Sequence, residues 1–163
     1  MRRQPTFHTD PPEAVPPEID APPEAVTLEI DAPPDAVAGR AQRVLLLEDR
    51  DDFREVLCQH LVSRSFELTS VSSGVEGLSE IRKGAFDLII CDMMMPRMGG
   101  EMFYWAVTRL RPAAAQRVIF FTGHQTNPTI EFFFKRVKAT VLIKPFELSA
   151  LDSAISDVLR KLG

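Results

Sequence analysis

From residue 43 onward, short apolar runs alternate with segments whose apolar residues recur every three or four positions, and this alternation limits the fold more than any other feature of the chain. Five runs read as strands, at 43–47, 66–71, 87–91, 117–121 and 139–143. A helical pattern follows each of them. After the first, Phe53, Val56, Leu57, His60 and Leu61 mark one face, with Asp51 or Asp52 as the cap. Ser73-Gly74 opens the second helix, which ends near Gly84, and Gly99 or Gly100 opens the third, which Arg111-Pro112 stops after Leu110. Thr126 or Asn127, with Pro128 in the first turn, starts a helix through about Val137, and Leu148, Leu151, Ile155, Val158, Leu159 and Leu162 line the last. Strands this apolar are buried on both faces. The pattern therefore predicts an α/β fold, a doubly wound parallel sheet between two layers of helices.

Four of the five strands deliver polar residues at their carboxyl ends: Glu48-Asp49, Asp92, Thr122-Gly123 and Lys144-Pro145. With right-handed crossovers these ends gather at one edge, where open α/β sheets place their ligand crevice. Two acids, an aspartate, a hydroxyl and an amine then share that crevice. Glu48 and Asp49 also have a simpler reading as helix caps, and Lys144 as a solvated strand end.

The ordered set of Glu48-Asp49, Asp92 with Met95-Pro96 and Gly99-Gly100 downstream, Thr122, and Lys144-Pro145-Phe146 resembles the receiver domain of two-component response regulators, over about residues 43–162. The resemblance implies a flavodoxin-like (βα)5 sheet of order 2-1-3-4-5. It also implies that Asp92 accepts a phosphoryl group from a histidine kinase or phosphotransfer protein, that Thr122 senses the group, that Lys144 neutralises it, and that Lys144-Pro145 is cis. Three carboxylates a few ångströms apart are costly unless a cation lies among them. Oxygen donors suit Mg²⁺, which keeps positions for phosphoryl oxygens; Glu48, Asp49, Asp92 and the Met94 backbone carbonyl are the implied ligands. The family's output face, built from the helix after the fourth strand, the fifth strand and the last helix, would serve a downstream protein target or a homodimer.

The chain departs from the family at three places. Val141 stands where a switch aromatic is usual, Met94 where many receivers carry a polar side chain, and Phe132-Phe133-Phe134 spans too much of a helix for every ring to face a core. These leave open a phosphorylation-independent binding module of the same fold. A phosphatase is disfavoured because no acid lies two residues after Asp92, and a nucleotide-binding protein because no strand leads into a phosphate-binding glycine loop.

Ahead of this domain the composition changes. Nine of 13 prolines fall in the first 40 residues, where Pro-Pro-Glu-Ala-Val starts at Pro11 and Pro22 and Pro-Pro-Asp-Ala-Val at Pro33, a period of eleven. Residues 1–41 read as a disordered acidic tail, with Val15, Val26 and Val37 as the contacts if it docks, and 42–163 as the receiver. The net charge of −4 reflects that tail, and no basic stripe suggests nucleic acid. Cys58 and Cys91 read as reduced core thiols, His60 as a boundary histidine and His124 as a loop residue. With no long apolar run there is no signal for membrane or export, so a cytoplasmic protein is expected. A stand-alone receiver, with no enzymatic activity beyond its own phosphorylation and dephosphorylation, is the expectation, against the carboxyl-terminal receiver of a hybrid kinase.

Overall fold

A computed structural model describes residues 40–123 and 127–162. The repeat-bearing residues 1–39 and His124 lie outside them. Five parallel strands, β1 (Arg43–Leu47), β2 (Glu67–Val71), β3 (Leu88–Asp92), β4 (Val118–Thr122) and β5 (Thr140–Ile143), pair in the order β2-β1-β3-β4-β5. The helices are α1 (Asp51–Ser63), α2 (Gly74–Lys83), α3 (Gly100–Leu110), α4 (Pro112–Ala115), α5 (Pro128–Val137) and α6 (Leu148–Leu162).

Alternation along the strands splits the core in two. Leu45, Leu47, Ile89, Cys91, Val118 and Phe120 point to one face and pack with Ile81, Phe103, Val107 and Phe133 from α2, α3 and α5. Val44, Leu46, Leu88, Ile90, Ile119 and Phe121 point to the other, against Leu57 and Leu61 of α1 and Leu151, Ile155 and Val158 of α6. Cys91 and Cys58 are free thiols that pack on opposite faces of the sheet, so the two do not meet.

Local chemistry starts most helices where the sequence predicts. Ser73 caps α2 by accepting from the Glu76 N–H, and Asn127 caps α5 by accepting from Thr129 and Ile130, with Pro128 in the first turn. Helix α1 is a correction. Its N-cap is Arg50, with no side-chain cap, and Asp51 and Asp52 sit inside the first turn, where their charges favour the helix end without capping it. A second correction concerns Val56, expected on the core face but 49% exposed, while Leu57 and Leu61 are fully buried. The short helix α4, which lets Arg117 begin the approach to β4, has no counterpart in the sequence pattern. His60 is held at the α1–α6 boundary, its Nε2 2.7 Å from Asp152 Oδ1.

The aromatic triplet divides as its spacing requires. Phe133 is 2% exposed and Phe132 68%, while Phe134 packs part-buried on the first core. No helix among the described residues is long and apolar enough to cross a membrane.

Candidate functional site

The parallel register brings the carboxyl ends of β1, β3, β4 and β5 to one edge: Leu47 pairs with Cys91, Asp92 with Phe121, and Thr122 with Ile143. The residues at and just beyond these ends are therefore neighbours although they lie up to 96 positions apart in sequence. Carboxylate oxygens of Glu48, Asp49 and Asp92 lie within 4.8 Å of one another. Glu48 is fully buried, Asp92 is 4% exposed and Thr122 1%.

One cation answers these charges directly. The Lys144 Nζ donates to Glu48 Oε2 and to Asp92 Oδ2, both at 3.0 Å. The other oxygens of Glu48 and Asp92 take backbone donors: Glu48 Oε1 accepts from the Arg50 N–H at 3.0 Å and Asp92 Oδ1 from the Met94 N–H at 3.2 Å. Burial raises the Glu48 carboxyl above its usual range; the Arg50 N–H opposes this, the Asp92 charge adds to it, and Lys144 opposes it. Burial also pushes the Cys91 thiol well up, with Asp92 and Glu48 adding in the same direction.

The capping reading of Glu48 holds only in part, since one of its oxygens receives the N–H of the α1 cap residue while the other faces the pocket. Lys144 is not a solvated strand end. Its backbone N–H donates to the Thr122 carbonyl at 2.8 Å, and its ammonium lies 4.9 Å over the Phe53 ring and 4.8 Å over the Phe121 ring. Phe146 closes the group, with ring centroids 5.9 Å from Phe53 and 6.0 Å from Phe121. The sequence pattern marked Phe53 and Phe121 only as core. Their aromatic class beside a strand-end lysine was the available signal. The Lys144-Pro145 bond is cis, as the resemblance implied.

The donor set suits a small divalent cation. Three buried or half-buried carboxylates carry more charge than one ammonium balances, and all the donors are hard oxygens. Carboxylates on one Mg²⁺ lie up to about 4 Å apart, so small rotations would close the set. Met94 is 50% exposed, and among the described residues an added Cβ at Gly123 would meet nothing within 4 Å. Val141, in β5 beside Phe120, packs part-buried on the first core.

Comparison with known proteins gives a consistent picture. Residues 44–156 match the model of the response regulator receiver domain. A response regulator receiver protein of Anaeromyxobacter is 35% identical over 104 residues, which are 64% of this chain and 43% of that one. The response regulator receiver protein CpdR of Brucella abortus is 29% identical, with 72% of this chain and 97% of that one covered. The crystallised chemotaxis protein CheY4 of Vibrio cholerae superposes with a TM-score of 0.65 at 29% identity, covering 74% of this chain and all of its own. Several other curated relatives are longer, and this chain spans about half of them or less.

Proposed function

Because this chain belongs to the response regulator receiver domain family, we propose that it acts in two-component signalling as a phosphoryl acceptor, with Asp92 as the residue that takes the group. The observation that carries this reading is the Asp92 carboxylate, 4% exposed, beside Glu48 and Asp49 and 3.0 Å from Lys144 Nζ. Receiver domains interact with histidine kinases or phosphotransfer proteins, so the donor is a phosphohistidine. An Asp92 oxygen bonds to phosphorus as the P–N bond breaks. The imidazole nitrogen keeps the bonding pair and takes up a proton, and Asp92 is left as an acyl phosphate.

Receiver domains bind Mg²⁺ at an acidic pocket, and here Glu48, Asp49, Asp92 and the Met94 carbonyl would hold it; when bound it supplies positive charge for the transferring oxygens. Lys144 neutralises a further oxygen and, held by Phe53 and Phe121, needs little reorganisation to do so. The Thr122 hydroxyl donates to the attached group and carries the change to its surroundings. Signalling then passes by contact with a downstream protein, through the α5–β5–α6 face where Phe132 is 68% and Ile143 38% exposed, a face that also suits a homodimer. Chemistry beyond its own phosphorylation and dephosphorylation is not proposed, and the cytoplasm is the compartment where such a donor acts.

Val141 supports a second reading, a contact module of the same fold that works without phosphorylation, since no ring is available there to turn inward. Incubation with acetyl phosphate and Mg²⁺ separates the two. Retarded migration on a phosphate-affinity gel, lost in Asp92→Asn, is the expected result. No retardation of the parent chain would leave only the contact module.

A further inference from the structure

Beside the acidic pocket, α3 and α5 leave a groove of about 540 Å³ lined by Met94, Met102, Trp105 and Ile130 among others. Its apolar rim is open: Met94 is 50%, Met102 58% and Trp105 36% exposed. Two helices begin at it. Helix α3 starts after Gly99, a lining residue, with no side-chain cap, and Asn127, also a lining residue, is the cap of α5. Both starts present partial positive charge. Outside the lining, the Arg136 guanidinium of α5 lies 5.4 Å over the Trp105 ring. Glu101 is the acid of the lining. The groove thus suits an occupant with proline and small apolar side chains.

The chain carries such a segment in its own first 39 residues. Pro-Pro-Glu-Ala-Val occurs at Pro11 and again at Pro22, and proline pairs favour the extended conformer that docks in aromatic-lined grooves at little cost in ordering. Reach decides which copies qualify. Arg40 bonds to Asp87, just before β3, while the groove adjoins Met93, just after it. A five-residue strand is about 17 Å long. Val37, three residues from Arg40, can lie no farther than about 11 Å from it, whereas Val26, fourteen residues away, can lie up to about 48 Å away.

We propose that the α3–α5 groove is the docking site for this chain's own Pro-Pro-Glu-Ala-Val units at Pro11 and Pro22, with proline and valine against Trp105 and Met102 and the glutamate turned to solvent, away from Glu101. The inference does not depend on phosphoryl transfer. Two tethered copies of one ligand raise its effective concentration at the groove without any gain in contact area.

Trp105 is the only tryptophan of the chain and reports on its own groove. In the full chain, Val15→Asp with Val26→Asp should move Trp105 emission to longer wavelength and steepen its quenching by acrylamide. Val37→Asp, which adds the same kind of charge beyond reach of the groove, should do neither. All three substitutions fall in the proline-rich repeat, ahead of the strand and helix pattern that begins at Arg43, so they leave the core residues unchanged. Unchanged emission in the double variant overturns the proposal and leaves the groove to a separate partner. An equal change in Val37→Asp overturns it as an effect of charge alone. A parent spectrum that drifts with protein concentration overturns the contact within one chain in favour of a second copy.

Discussion

Lys144 sits 3.0 Å from Glu48 and from Asp92, with its own side chain 20% exposed. Truncation would strand the buried Glu48 carboxylate with only a backbone N–H for a partner. Exposed ion pairs are worth up to about 1 kcal/mol and the loss of one partner from a buried pair about 3–5. A half-screened lysine falls between these limits. Lys144→Ala should therefore lower the urea midpoint in chelator by the equivalent of about 1–3 kcal/mol. Added Mg²⁺ should narrow the gap, because acids no longer answered by an ammonium bind the cation more tightly and so gain more stability from it than the parent does. Equal midpoints in chelator would show that the ammonium does not hold the pocket together. Met94 gives a second probe at this scale. Its half-exposed side chain follows Asp92 by two positions, beside the place a group on that carboxylate would occupy. Met94→Asn should change the decay rate of phosphorylated protein, and identical decay would dismiss the side chain from that role.

Among elements, α3 meets the site at its first residue. A Cβ on Gly100 would stand 2.8 Å from the Asp92 carbonyl oxygen and 3.0 Å from Met93 Cα, so the helix start fits against the backbone that carries the Asp92 carboxylate. Backbone cannot yield as a side chain can. Gly100→Ala should cost about 1–3 kcal/mol and slow labelling of Asp92 as α3 backs away. Gly84→Ala is the control, since its Cβ would meet only the guanidinium end of the Arg43 side chain, at 3.1 Å, and no backbone. Denaturant curves and acetyl phosphate labelling of both variants decide the matter, and equal behaviour would mean that α3 has slack. Element boundaries also show how far the sequence could be read. Asn127 and Ser73 act as the caps their types announce, because a short polar side chain finds its N–H groups locally. Arg50 does not announce a cap, and α1 is held instead by Leu57 and Leu61 packing on the sheet.

For the whole molecule, two apolar layers share one five-stranded sheet, and Phe120 on one face alternates with Phe121 on the other. Neither layer survives loss of the strands that carry both. Unfolding in urea should then be a single transition, with Trp105 fluorescence and far-ultraviolet circular dichroism coincident. Separated midpoints would show that the α3–α5 side melts independently.

The periodicities of two and of about 3.6 were legible in the sequence because they express local geometry, and they determined five β-α units and the strand ends at which Glu48, Asp92, Thr122 and Lys144 fall. Which apolar residues face out was not, as Val56 shows: a helical stripe names a face but not its edges. The tertiary structure alone decided that Lys144 bonds both Glu48 and Asp92, that Phe53 and Phe121 flank it, and that a methionine- and tryptophan-lined groove opens beside the pocket. Such contacts join residues of different elements, so they depend on strand register and helix placement that no local pattern encodes.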